Sequence, residues 1–211
     1  MLYKLIIFLM ICLLGQSLVI IEKSQHKSNL ENKSAKRSFF LSAQPWYDEN
    51  SNTINAHGGG IICVDGQYYW YGEHKLPDCS EKEGADGGVH CYCSTDLYNW
   101  KDCGLVLSVD YKNPNSDIAK GCILERPKVV FNEKTKQYIM YFKLYLPRMG
   151  YEIGYVGVAV SSTPSGPFKY SHKFLGAGSD KGSGDFCMFK DEDGSVYHMT
   201  VRKPDKAFCI G

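Results

Sequence analysis

Three short stretches combine chemically capable side chains with small neighbours. They are Ile54-Asn55-Ala56-His57-Gly58-Gly59-Gly60, Glu125-Arg126-Pro127 and Gly182-Ser183-Gly184-Asp185. Each stands just before a run with hairpin character. A carboxylate held there accepts hydrogen bonds from ligand hydroxyls, and its charge favours a cationic transition state. His57 adds an imidazole and Arg126 a cation, while the glycines are expected to leave room for a ligand. Tyr151, ahead of the run GVAVSS, offers a ring to stack on a ligand or to fill core. The structural alternatives are a local Glu125–Arg126 ion pair, Asp185 as a turn cap, and His57 as a packed, hydrogen-bonded histidine.

The elements that must position these residues repeat. Ile61 to Tyr71 reads IICVDGQYYWY, Val129 to Phe142 reads VVFNEKTKQYIMYF, and Cys187 to Met199 reads CMFKDEDGSVYHM. Short β-rich runs around polar or Asp-Gly turns are hairpins. A second element, VHCYCSTDLYNW from Val89 and VGVAVSSTPSGPF from Val156, follows the first two. The two elements recur at offsets of 67 and 68 residues. Such a period, with about four short strands per unit, predicts an all-β chain of radial β-propeller blades rather than a generic sandwich. Inner strands of a propeller line its axis, so His57, Glu125 and Asp185 are expected to meet in one pocket. The repeat predicts two full blades and part of a third, as in a fragment. The third unit's second element is expected near position 214 or a little earlier.

Composition narrows the partners. Lys plus Arg number 24 and Asp plus Glu 23, a net charge of +1, which excludes a field for nucleic acid. Fifteen Tyr and 21 Gly favour strands and tight turns. Lys4 followed by the apolar run Leu5 to Leu14, then Gly15-Gln16-Ser17, reads as a signal peptide over 1–17, or as a signal anchor, its one route to a membrane. Either places the rest in the secretory pathway or outside the cell. Residues 18–40 read as a polar disordered or stalk segment carrying the sequon Asn32-Lys33-Ser34, and 41–211 as the partial propeller domain.

Eight of the nine Cys follow the signal, which predicts disulfides without fixing a pairing. No Cys-x-x-Cys pair exists, and Cys91-x-Cys93 is expected to turn its thiols to opposite faces, so zinc is rejected. Asp191 and Asp193 start like a calcium loop, but the later Glu is missing, and the stretch reads as a turn. No metal and no cofactor is therefore expected. Trp70 and Trp100 are expected in blade core.

The stretches INAHGGGI, YYWYGE, GVHCYCSTDLYNW, ERPKVVFNEKTKQYIM, GVAVSSTPSGPF and DFCMFKDEDG together resemble glycoside hydrolase family 43, and within it the exo-β-1,3-galactanase branch. The resemblance runs from about Trp46 to Gly211. It implies a five-bladed propeller that hydrolyses O-glycosyl bonds of oligo- or polysaccharides with inversion. It also implies that Asp185 tunes the general acid and that Glu125 lies in the sugar pocket, both as catalytic residues. His57, Glu73, Arg126 and Tyr151 are the implied substrate-binding residues. His57 stands where the wider family has its base Asp, a departure shared with the branch. The acid Glu is expected beyond Gly211, so the chain alone is expected to lack it. A non-catalytic sugar-binding propeller and an inactive truncated product are the alternatives.

Overall fold

The structure is a computed structural model that describes residues 36–40, 42–76 and 87–211. The signal and sequon assignments, most of the stalk, Cys12 and Cys79 lie outside the described residues. Three antiparallel sheets and no helix make up the described part. The first sheet runs β1 (His57–Val64), β2 (Gln67–Glu73), β3 (Val89–Ser94) and β4 (Lys101–Leu107) in sequence order. The second repeats it with β5 (Ile123–Asn132), β6 (Gln137–Tyr145), β7 (Tyr155–Ser161) and β8 (Lys169–Leu175). The third holds β9 (Ser183–Lys190), β10 (Val196–Arg202) and β11 (Phe208–Ile210). These are two full blades and part of a third. β11 begins at Phe208, the earlier placement expected of a shorter unit. The connection preceding it, residues 203–207, is shorter than its counterparts 74–88 and 146–154.

Local chemistry sets the strand ends. Asp65 and Gly66 both have positive φ, 49° and 77°, which is the conformation a two-residue hairpin turn needs. Ser94 and Asp96 order the β3–β4 turn. The Asp96 carboxylate accepts the Tyr98 and Asn99 N–H groups at 2.9 and 2.8 Å. That turn delivers Trp100 into the interior. Its indole N–H donates to the Leu97 carbonyl, and its ring packs against Trp70 at 5.2 Å. Trp100 is fully buried and Trp70 partly so, both within an aromatic layer with Tyr92 and Trp46.

The main core lies between the first two sheets. Tyr71, Val89, Cys91, Val106 and Leu107 face Leu124, Val129, Met140, Phe142, Leu144 and Ala159. Burying each large aliphatic or aromatic side chain contributes roughly 1.5–3 kcal/mol. The Tyr71 hydroxyl donates to the Pro164 carbonyl at 2.6 Å, and burial pushes its pKa far up.

β5 lies between β1 and β9, which makes the first strand of each sheet the inner one. The glycines of β1 serve close approaches to β2 and β5. A Cβ on Gly59 would sit 2.0 Å from the Tyr71 carbonyl oxygen, and one on Gly60 would sit 2.9 Å from the Lys128 side chain. The expectation of vacant space is corrected at these two positions: the protein's own backbone and a lysine fill it.

Lys128 fastens β5 to β1. Its ammonium donates to the Gly58 and Gly59 carbonyls at 3.0 and 2.8 Å. Burial, and next the Arg126 charge, bring its pKa down to about 8. The unfolded chain keeps that proton up to about pH 10.4. Between those values the unfolded state binds more protons, so Lys128 makes stability rise with pH. We expect the stability of the native chain relative to Lys128→Met to grow between about pH 8 and pH 10. Urea midpoints of both proteins at matched pH measure it, and a difference independent of pH would contradict the assignment.

Candidate functional site

The site grows from a bulge in an inner strand. β5 and β6 pair Glu125 with Lys143 and then Lys128 with Tyr141, so the register slips between Glu125 and Lys128. Arg126 sits in the slip with φ at 51°, unusual for a residue with a Cβ. The bulge turns Glu125 and Arg126 toward the third sheet.

Lys143 is the centre of the array. Its side chain is 9% exposed. The ammonium lies 3.3 Å from Glu125 Oε2 and 3.0 Å from Asp185 Oδ1. It also stands over the Tyr145 and Tyr151 rings at 5.0 and 5.9 Å. Burial opposes its charge, but Tyr145, Glu125 and Asp185 outweigh that and raise its pKa. Asp185 is half-exposed and takes a second cation, the Arg126 guanidinium, at 2.7 Å from Oδ2. Burial would raise the Asp185 carboxyl, yet Lys143 and Arg126 hold it below the ordinary aspartate value. The Tyr151 hydroxyl donates to Glu125 Oε1 at 2.9 Å. Burial, then that contact, pushes the Tyr151 pKa up to about 12.

Glu73 forms the other half. Its side chain is 1% exposed. His57 Nδ1 lies 3.3 Å from Oε2, while Lys75 Nζ approaches Oε1 to 2.9 Å without the alignment of a hydrogen bond. Burial raises the Glu73 carboxyl, Lys75 and His57 pull it down, and the Glu125 charge pushes it up again. The two glutamates therefore sense each other across the β2–β5 contact.

Of the sequence-derived residues, Glu125, Arg126, Asp185 and Tyr151 share one array. His57 belongs to the Glu73 half, where its Nδ1 meets the Glu73 carboxylate. Its side chain is 68% exposed, so it is not a packed histidine. Arg126 pairs with Asp185 rather than with its neighbour Glu125. Asp185 lies within β9 and caps no turn.

A cavity of about 700 Å³ opens beside the array, lined in part by Lys143, Tyr145, Tyr151, Gly184, Asp185 and Arg202. Lys181, Lys203 and Lys206 add to a mainly cationic wall against Glu152 and Asp185. Sequence reasoning missed Lys143 and this wall. The signal for Lys143 was a lone cation in the apolar run Tyr141-Phe142-Lys143-Leu144-Tyr145. Among the described residues, no group of His, Cys, Asp and Glu is arranged to hold a metal ion, and the Asp193 carboxylate caps the Ser195 N–H in a hairpin turn.

No family model and no curated protein matches the chain. Solved structures do. A GH43 β-1,3-galactosidase with galactodeoxynojirimycin is 34% identical, with a TM-score of 0.69 over 77% of this chain and 59% of its own. An exo-β-1,3-galactanase from Phanerochaete chrysosporium, with galactose, is also 34% identical, with a TM-score of 0.69 over 81% of this chain and 38% of its own. The chain belongs to glycoside hydrolase family 43. Its likeness within the family is to the exo-β-1,3-galactanase branch, which includes an enzyme from Clostridium thermocellum at 33% identity and a TM-score of 0.65. The chain spans from 35% to 59% of the length of these three relatives.

Proposed function

We propose that the chain builds the galactosyl-binding part of an extracellular glycoside hydrolase that acts on β-1,3-galactan-like glycans with inversion. The observation that carries this reading is the Lys143-centred array at the cavity wall. Lys143, Tyr151 and Asp185 line that wall, and Glu125 and Arg126 brace them from behind, so acceptors and donors for sugar hydroxyls are fixed before a ligand arrives. The apolar N-terminal run supports an extracellular location.

The two carboxylates of the array are not the acid and base of an inverting pair. Inversion needs carboxyl groups about 6.5–9.5 Å apart, to admit a water. Glu125 Oε2 and Asp185 Oδ1 instead share one cation, lying 3.3 and 3.0 Å from Lys143 Nζ, so a lysine rather than a water stands between them. Asp185 is also held ionised, which suits a residue that tunes an acid rather than one that donates a proton. Glu73 is buried between Lys75 and His57. The residues described here bind and orient, and we expect slow turnover by the 211-residue chain. His57 in place of a base Asp favours a second reading, a sugar-binding propeller without turnover. The two readings share this site and differ in galactose release from β-1,3-galactan.

Calorimetric titration with β-1,3-galactobiose and with xylobiose tests the substrate class. We expect heat of binding with the galactobiose and little with the xylobiose. Equal affinities, or preference for xylobiose, would contradict the reading.

A further inference from the structure

The first blade holds a second cluster that shares no residue with the array. Side chains two apart on a strand share a face. Cys91 and Cys93 of β3 therefore point the same way, which corrects the expectation of opposite faces. The β3–β4 register pairs Cys91 with Gly104 and Tyr92 with Asp102, so Cys103 is the extra residue of a bulge between them. Asp102 turns to the other face, where it meets His90 at 2.6 Å. Cys103 is left on the thiol face, packed against the core cluster that holds Cys91, and interacts with both Cys91 and Cys93. Cys91 and Cys93 are buried, and Cys103 is partly exposed. No disulfide joins the described cysteines.

We propose that Cys103 is the hub of a thiol–disulfide exchange site, where it forms a disulfide with either buried neighbour, Cys91 or Cys93, at the expense of a low-molecular-weight disulfide. Burial and exposure assign the roles. The partly exposed Cys103 is the thiol that an external disulfide can reach, and the two buried thiols resolve the product. The ionisation order agrees. The Cys91 hydrogen bond, against the opposing effect of burial, draws Cys103 down to about 6, whereas burial and then Cys103 push Cys93 up to about 11.

In the first step the Cys103 thiolate attacks one sulfur of oxidised glutathione. A glutathione thiolate leaves and takes up a proton, and a mixed disulfide remains on Cys103. In the second step Cys91 or Cys93 gives up its proton and attacks the Cys103 sulfur, expelling the second glutathione. Two protein thiols lose two electrons in total, and one glutathione disulfide becomes two thiols.

Lys101 lies between the partners, so trypsin places Cys91 and Cys93 on residues 83–101 and Cys103 on 102–112. The 211-residue chain is purified reduced, incubated with oxidised glutathione, alkylated and digested without reduction. Mass spectrometry should show 83–101 linked to 102–112 in most of the protein. Cys91→Ser and Cys93→Ser should each keep that link, because the other neighbour takes over. The double variant should stop at Cys103 carrying glutathione, and Cys103→Ser should leave 83–101 unlinked. In the native chain, an alkylated Cys103, or a Cys103 that keeps its glutathione without an internal bond, would overturn the proposal. That native-chain result stands whether or not the serine variants fold.

Discussion

Replacing Lys143 with Ala should destabilise the protein by about 3 kcal/mol or more, an effect larger than most single substitutions produce. The ammonium bridges Glu125 and Asp185 and lies almost entirely out of water. Without it, two carboxylates face each other across the β5–β9 contact with no shared cation. Arg126 still neutralises Asp185, but Glu125 keeps only the Tyr151 hydroxyl. The cost should therefore fall on Glu125. Adding Glu125→Gln to Lys143→Ala should recover part of the loss, which makes the pair non-additive. Urea unfolding of the four proteins gives the coupling. A loss under 1 kcal/mol for Lys143→Ala, or strictly additive losses, would mean that the array is a solvated surface pair.

Glu125→Gln should weaken binding of β-1,3-galactobiose by about thirtyfold, or about 2 kcal/mol, with a much smaller effect on folding. Gln keeps the shape and can still accept from Tyr151. It loses the charge that strengthens hydrogen bonds from sugar hydroxyls. Folding is protected because Lys143 retains Asp185 as a partner. Paired titrations and melting curves separate the two effects. Unchanged affinity, or a collapse in stability alongside lost binding, would remove Glu125 from the site.

The blade repeat was legible because its signals are local. Asp65-Gly66 states its own turn, and the two second elements each state an alternating strand followed by a polar turn. The inner-strand positions of Glu125 and Asp185 followed from the repeat. What was hidden depends on partners distant in sequence. Lys143 meets Asp185 across 42 residues, and nothing near Tyr141-Phe142-Lys143-Leu144-Tyr145 announces a carboxylate. The positive φ of Arg126 was also invisible, since Arg does not mark that conformation as Gly would. The run Gly58-Gly59-Gly60 announced a close approach without saying to what, and the answer was the β2 backbone and Lys128. Cys91 and Cys93 were misread for a simpler reason, because the two-residue period of a strand was applied with the wrong parity.

The most direct test of the account is a crystal structure of the chain with β-1,3-galactobiose. The account predicts a galactosyl ring in the cavity beside Tyr151, with its hydroxyls in hydrogen-bonding contact with Glu125. A disaccharide bound elsewhere, for example in the groove between Asp117 and Met149, or no bound sugar at saturating concentration, would contradict it.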